Sequence, residues 1–205
     1  MEESEFTSIE WFSSAAMPPE NQLLHAIRSR DFLLAQRVVK NVVDLNTPRI
    51  LGKSFLRHAG DNNDLKMCEL LVRNGSDPNE VNGKHRYSLL HHAAASSNYG
   101  LANILLAIGA DANSRTSFLA TPLHFAAKLG LEYLALRLLE NGADINSIDH
   151  RNKTPLEYAM RHGKAGMGKL LIRKHCTVTS LNTQTIPDEV VQLIAECGQP
   201  RHDPT

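Results

Sequence analysis

The chain is 205 residues long, carries 22 basic and 22 acidic residues, and is 42% apolar. This length and apolar content suffice for one domain or two small ones, which excludes a wholly disordered protein, while 12 glycines and 9 prolines are too few for collagen or a low-complexity linker. The balanced charge gives no argument for a nucleic-acid or membrane partner.

Residues 1–20 form an acidic N-terminal segment. They contain five glutamates and no lysine or arginine, with Phe6, Trp11 and Phe12 among them. Because an acidic segment with aromatic side chains has the chemistry to occupy a basic groove, one hypothesis is that residues 1–17 dock on the protein's own surface until a partner displaces them. The alternative is that Trp11 and Phe12 cover the apolar end of the structure that follows.

The location of the protein is suggested by what the sequence lacks. The N-terminal segment has no apolar stretch of the kind found in a secretory signal, and no part of the chain approaches the roughly 18 apolar residues of a membrane-spanning helix. The three cysteines are an odd number without a CxxC pair, which favours a reducing compartment. We therefore expect a cytoplasmic or nuclear protein, or one found in both places, with no membrane partner.

A phrase of seven residues recurs along the chain at intervals of 32 to 34 residues. Its copies are 22–28 (QLLHAIR), 54–60 (SFLRHAG), 88–94 (SLLHHAA), 121–127 (TPLHFAA) and 154–160 (TPLEYAM). A second phrase follows three of these copies at a constant offset, over 71–79 (LVRNGSDPN), 105–113 (LLAIGADAN) and 138–146 (LLENGADIN). Two phrases kept in phase indicate a tandem structural repeat.

These paired phrases resemble the ankyrin repeat, whose TPLH and GADxN signatures recur about every 33 residues. The resemblance covers residues 21–180. It implies an all-α solenoid of about five helix-turn-helix units with short projecting β-hairpins. The units are predicted over 22–53, 54–87, 88–120, 121–153 and 154–180. The residue types fit this register, since Pro122 suits the first turn of a helix, Ala126 and Ala127 let a second helix come close, and Gly142 suits a left-handed helix end.

The two ends of the repeat array depart from the pattern. The first unit lacks both the Thr-Pro pair and the glycine that ends the second helix, so it is predicted to cap the array. In the last unit His175 stands where that glycine is expected. Residues 181–198 are predicted to form an amphipathic C-terminal capping helix, and residues 199–205 a disordered tail.

Catalytic, nucleotide-binding and metal-binding patterns are incomplete. Residues 163–169 (GKAGMGK) match the phosphate-loop spacing, which leaves a nucleotide-binding switch or an enzyme as an alternative function. Two requirements of a phosphate loop are missing, because Leu170 replaces the hydroxyl residue that would hold Mg²⁺ and no strand is expected before the segment. His25, His91 and His124 share one position in successive repeats, and the resemblance implies a structural hydrogen bond for them near the hairpin base. We therefore expect no metal, no cofactor, no catalytic residue and no enzyme.

The ankyrin family typically binds its partners through the row of hairpins and the inner helix face. Here those positions carry basic residues with a few aromatic or apolar anchors, and acids other than Asp61, Glu80 and Asp149 are scarce. The predicted partner-binding residues are Arg49, Lys53, Lys84, His85, Arg86, Tyr87, Arg115, Phe118, Lys128, Leu129, His150, Arg151, Lys153, Arg161 and His162. Such a one-sided basic row predicts an acidic protein segment as the partner. The alternative is that exposed hairpin tips are charged because they are solvated.

The expected function is that of a non-enzymatic protein-protein interaction module, either an adaptor or an inhibitor that covers a partner's surface. An ankyrin effector of an intracellular microbe, acting on host proteins, is an alternative with the same binding chemistry. Nucleic acid is disfavoured as a partner, because the basic row holds few aromatic side chains on which bases could stack and the net charge is zero. Asn79, Asn113 and Asn146 resemble the positions that asparaginyl hydroxylase modifies in ankyrin repeats, but the fold itself requires the same pattern.

Overall fold

The computed structural model describes residues 17–46 and 52–176, together with Gln192 and Ala195. Predicted features outside these residues are the acidic segment over 1–16, the site residue Arg49, the capping helix over 181–198 apart from its two described positions, and the tail over 199–205. The described residues form ten α-helices and one two-stranded sheet, and the chain divides into two compact units, Met1–Asp77 and Pro78–Thr205. None of the described helices combines the length and the apolar character that crossing a membrane requires.

The first unit contains two helix pairs. They are α1 (Pro19–Ser29) with α2 (Phe32–Val38), which runs into a 3₁₀ turn (Val39–Asn41), and α3 (Phe55–Asp61) with α4 (Leu65–Arg73). Asp31, Ser54 and Asp64 start three of these helices, because each side chain accepts the backbone N–H three residues on and so satisfies a donor that has no partner inside the helix. Helix α3 packs against α1 and α4, and this core buries Ile27 and Phe55.

The second unit builds the same plan three times. Its elements are the hairpin strands β1 (Val81–Asn82) and β2 (Tyr87–Ser88), then α5 (Leu89–Ala95) with α6 (Tyr99–Ala107), α7 (Pro122–Leu129) with α8 (Glu132–Glu140), and α9 (Pro155–Arg161) with α10 (Ala165–Arg173). Helices α5, α7 and α9 stack in one layer, and α6, α8 and α10 stack in a second. Ala126 and Ala127 are fully buried on α7, where their small side chains allow the neighbouring helices to come close.

A hairpin tip precedes each helix of the first layer in this unit. The three tips are residues 83–86, 116–119 and 149–152. The first tip joins β1 and β2, which pair antiparallel with Val81 opposite Ser88. Each of the other two is closed by a backbone hydrogen bond of 3.0 Å, from Thr116 to Ala120 and from Asp149 to Lys153. Backbone hydrogen bonds therefore fix the base of each of the three tips.

Candidate functional site

Three aromatic rings run along the row of hairpin tips, one from each tip. The ring centroids of His85 and Phe118 are 5.3 Å apart, and those of Phe118 and His150 are 5.2 Å apart. The backbone fixes this spacing, because the Ser117 N–H donates to the carbonyl of His85 at 2.9 Å and the His150 N–H donates to the carbonyl of Phe118 at 3.0 Å. The tips thus form one continuous row in which Phe118 contacts an imidazole ring of each neighbour.

A cavity of about 320 Å³ lies between this row and the first helical layer. We call it the aromatic cavity. Its wall includes Tyr87, Phe118, Phe125, Lys128, His150, Arg151 and Tyr158. Tyr87 and Phe125 meet edge to face with centroids 5.7 Å apart, which is a favourable arrangement for two rings. The cavity therefore offers an apolar aromatic surface bordered by two cationic side chains.

A second cavity of about 280 Å³ adjoins the first, because Arg151 and Tyr158 line both. We call it the basic cavity. Besides these two residues it is lined by Asp149, Lys153, Arg161 and His162. Arg161 and His162 lie at the C-terminal end of α9, and Arg151 and Lys153 come from the third hairpin tip and the residues just after it. The end of one helix and the tip before it thus converge on one positively charged hollow.

The single acid in the wall of the basic cavity is turned toward its own loop. Asp149 is only 2% exposed, and its carboxylate accepts the backbone N–H groups of Arg151 and Lys153 at 2.8 Å and the hydroxyl of Tyr158 at 2.8 Å. Burial by itself raises the pKa of Asp149, but these hydrogen bonds outweigh it and hold that pKa below its ordinary value. Burial and the same carboxylate raise the pKa of Tyr158 to about 12. Asp149 therefore fixes the two residues that the cavities share.

The cations of this face differ in whether they already have a partner. Lys153 donates from Nζ to buried Glu157 at 2.8 Å, so part of its charge is used inside the protein. Lys128, Arg151 and Arg161 are exposed, and within the described residues no carboxylate forms an ion pair with them. Arg151 donates from Nε to Nε2 of His150 at 3.3 Å, which does not neutralise its charge. The charges of these three side chains are therefore available to a negatively charged partner.

The structure places the predicted site residues in three groups. The first group lines one or both cavities: Tyr87, Phe118, Lys128, His150, Arg151, Lys153, Arg161 and His162. The second group belongs to the same unit but lines neither of these cavities: Lys84, His85, Arg86, Arg115 and Leu129. Of the other two, Lys53 belongs to the first unit, where its Nζ lies 2.6 Å from Asp61, and Arg49 lies outside the described residues.

Two aromatic residues of the site were missed by sequence reasoning. Phe125 and Tyr158 occupy the fifth position of the repeated phrase, on α7 and α9, and both line the aromatic cavity. A signal was present, since equivalent positions of stacked repeats face the same side and this position is aromatic in two successive copies. The prediction concentrated on charged residues of the tips and passed over an aromatic inner wall.

Comparison with known proteins identifies the repeat. The family model described as ankyrin repeats, in three copies, matches residues 23–116 and 90–182. The chain belongs to the ankyrin-repeat family. It is 35% identical over 102 residues to alpha-latrotoxin-Lg1a of Latrodectus geometricus (48% of this chain, 7% of that protein), and 47% identical over 55 residues to alpha-latrotoxin-Lh1a of Latrodectus hasselti (25% and 4%). The chain thus spans a small fraction of the length of these relatives. The ankyrin assignment and the all-α fold class predicted from the sequence are both confirmed.

Two of the three histidines at the shared position have the structural role that the ankyrin resemblance implied. His91 and His124 are fully buried, and their Nε2 atoms donate to the carbonyl oxygens of Ala120 at 3.0 Å and Lys153 at 2.9 Å. Since a carbonyl can only accept, Nε2 carries the proton and Nδ1 is left to accept from the helix cap. Burial lowers the pKa of His91 to about 4 and also lowers the pKa of His124. Among the described residues, no group of three histidine, cysteine or acidic side chains could hold a metal ion.

Helix packing accounts for two of the three glycines in the phosphate-loop-like segment 163–169, whereas the third, Gly163, takes a left-handed conformation with φ +65°. Residues 163–164 lead from α9 into α10 and residues 165–169 belong to α10, so a helix precedes the segment where a phosphate loop follows a strand. A side chain at Gly168 would meet Met160 and Leu156, and one at Gly166 would meet the carboxylate of Glu132. These glycines allow α10 to approach α8 and α9 closely. They belong to the packing of an ankyrin repeat.

Proposed function

We propose that this ankyrin-repeat protein is a non-enzymatic interaction module that binds an acidic segment of another protein through the aromatic and basic cavities of its second unit. It would act as an adaptor, or as an inhibitor that covers the bound segment. Ankyrin repeats are in general protein-binding modules, which supports the class of function.

The observation that carries the proposal is that the acidic side chains of this face are buried whereas three of its basic side chains are exposed. The acidic groups Asp149 and Glu157 are buried and fully engaged with neighbouring donors. The cations Lys128, Arg151 and Arg161 remain exposed and free of internal ion pairs. Because a solvated surface with no partner usually mixes both signs of charge, this one-sided exposure supports recognition of a negatively charged ligand.

A location in the cytoplasm or nucleus is part of the proposal. Cys68 and Cys176 are free thiols buried in the two units, and burial raises their pKa values to about 12 and about 11. Such thiols are poor nucleophiles and act as small packing residues, so they are compatible with a reducing compartment.

The test compares two triple charge reversals of equal size. Lys128, Arg151 and Arg161 are changed together to Glu, and the control changes Lys84, Arg86 and Arg115, which are equally basic and exposed but line neither cavity. Binding is measured by fluorescence anisotropy with labelled short peptides rich in Asp and Glu, and circular dichroism checks that both variants keep their helices. We expect the first variant to lose at least about tenfold in affinity and the control to lose far less. Equal losses would show that net charge alone attracts the peptides, and no binding to the natural sequence would refute the proposal.

A further inference from the structure

The aromatic cavity has the size and lining of a receptor for one bulky side chain. Its volume of about 320 Å³ lies at the lower end of the range for ligand pockets, roughly 300–1,000 Å³. Tyr87, Phe125 and Tyr158 line it, so an aromatic or large aliphatic guest would exchange water for apolar contact. An anchor of this type in a pocket is the usual source of affinity in a peptide complex.

The charges around the aromatic cavity determine which guest it accepts. A group of aromatic rings can also hold a cation, because the face of each ring is electron-rich. Here, however, Lys128 and Arg151 stand in the wall, so a lysine or arginine guest would meet like charges in a partly desolvated site. The cavity therefore favours a neutral apolar side chain over a cationic one.

The basic cavity is suited to a carboxylate. Arg151 and Arg161 can each offer a planar pair of donors to a carboxylate, and His162 lies in the same wall. The one acid present, Asp149, directs its oxygens to backbone N–H groups and to Tyr158, so it does not compete for these donors. A carboxylate entering here would meet two arginines that form no ion pair among the described residues, beside Lys153, which is already paired with Glu157.

The two cavities are held in a fixed relation by the residues they share. Asp149 binds the backbone of Arg151 and the hydroxyl of Tyr158, and these two residues form the wall between the cavities. Side chains two residues apart in an extended peptide lie on the same face, roughly 7 Å from each other. A short extended segment can therefore place one side chain in each cavity.

From this arrangement, and resting on the function proposed above, we infer that the second unit recognises a paired motif: one bulky apolar side chain held in the aromatic cavity and an Asp or Glu within a few residues of it held in the basic cavity. The acidic residue provides attraction and orientation, and the apolar residue provides most of the discrimination among acidic segments. Single-stranded nucleic acid is a weaker candidate for the same surface, because Phe118 already contacts the rings of His85 and His150 and so offers less open face for stacking.

The test uses a positional-scanning library of extended peptides on a Gly-Ser background. One position carries each natural side chain in turn, and an Asp is placed at each neighbouring position. With the natural protein we expect selection of Trp, Phe, Tyr, Leu or Met next to Asp, with at least about tenfold weaker binding when the apolar residue becomes Ala. Selection of acids without any apolar preference would overturn the paired motif but leave the proposed function intact, whereas selection of Lys or Arg would overturn both.

Variants locate each half of the motif. Phe125→Leu should abolish the preference for an aromatic residue, and Arg161→Gln, a surface change, should abolish the dependence on Asp while leaving the apolar preference. The matched control is Tyr133→Leu, since Tyr133 is an exposed aromatic residue on α8 that lines neither cavity. Equal effects of Phe125→Leu and Tyr133→Leu, or binding of a labelled oligothymidylate that Phe125→Leu weakens as strongly as it weakens the peptide, would contradict the inference.

Discussion

The helix pairs α7–α8 and α9–α10 have the same arrangement but differ in the buried side chain that accepts the backbone N–H of the helix cap. At the third position of the first helix, α7 carries His124 and α9 carries Glu157, both buried. Both side chains accept the backbone N–H of the residue that caps their helix, at 3.1 Å for Thr121 and 2.9 Å for Thr154. The difference lies in the other end of the side chain, which can donate in histidine and only accept in an ionised glutamate.

This difference decides how each pair connects to the row of hairpin tips. Neutral His124 donates to the carbonyl of Lys153, the residue that follows the third tip, and so joins two repeats without adding a charge. Glu157 instead accepts from the ammonium group of the same Lys153. The glutamate version therefore takes one cation away from the binding face, whereas the histidine version leaves the face unchanged. Four predictions test this contrast, from the largest expected effect to the smallest.

The first prediction concerns acid unfolding. The pKa of His91 falls from 6.5 in the reference state to about 4 in the folded protein, and the pKa of His124 is lowered in the same sense. A histidine whose pKa is lower in the folded protein binds more protons when the chain is unfolded. The stability that these histidines contribute is therefore fully present above pH 6.5 and is lost as the pH falls toward 4. We expect His91 alone to account for a loss of about 3 kcal/mol over this window. Urea midpoints measured by circular dichroism across these pH values check it.

Asp149 does not confuse this measurement, because its pKa is also lowered and its contribution to stability is lost below pH 3.8. The comparison variant is His162→Gln, which removes an exposed histidine at the end of α9 and keeps both buried histidines. His91→Asn should flatten the curve between pH 6.5 and 4. A natural protein equally stable at both pH values would show that the buried histidines are not the titrating groups.

The second prediction removes the connecting side chain. His124→Ala leaves the N–H of Thr121 without its partner and takes one of two donors from the carbonyl of Lys153, which keeps the Asp149 N–H. It also opens a gap beside Tyr158 of α9. We expect the free energy of unfolding to fall by about 2 kcal/mol. The matched variant is His162→Ala on the exposed end of α9, for which a change within about 0.5 kcal/mol is expected. An equal decrease in the free energy of unfolding for the two variants would show that the hydrogen bond between repeats does not contribute measurably to stability.

The third prediction concerns the glutamate version. Glu157→Gln keeps an acceptor for the Thr154 N–H but removes the charge that holds Lys153, whose side chain is 35% exposed and therefore partly screened. We expect a loss of about 1 kcal/mol. Glu140→Gln is the comparison, because its ion pair with Arg137 is exposed on both sides and should contribute only a few tenths. An equal effect of the two changes would mean that burial of Glu157 does not strengthen its pair.

Much of this architecture could be read from the sequence, because the repeat imposes the same requirement on every copy. The register of the helices and the position of the helix-ending glycines follow from a residue type recurring at one position, and the ankyrin resemblance implied the hydrogen bonds of His91 and His124. The candidate site could be predicted only in part. The residues of a binding site differ from one repeat to the next, so the repeat pattern does not identify them.

Asp149 and Lys153 show what the sequence could not supply. The sequence placed both on the binding side, one as an acid and one as a cation available to a partner. In the structure, Asp149 turns into its own loop and Lys153 turns toward Glu157, because each finds donors or acceptors in the backbone geometry of the tip and in the next helix. Such pairing depends on side-chain direction across two adjoining elements, which residue spacing does not determine. Lys128, Arg151 and Arg161 remain as the cations with which a ligand would interact.

The fourth prediction, with the smallest expected effect, concerns the residues that follow the second helix of each pair, α8 and α10. Gly142 ends α8 with φ +81°, whereas His175 follows α10 with φ +62°, a left-handed conformation that costs a residue with a Cβ free energy. His175→Gly should therefore stabilise the protein by about 0.5–1 kcal/mol, the relief of strain exceeding the added freedom that glycine gives the unfolded chain. Gly142→Ala, the reverse experiment, should destabilise by a similar amount. Thermal midpoints check both changes, and a lower midpoint for His175→Gly would show that this histidine makes a contact of greater value than its strain.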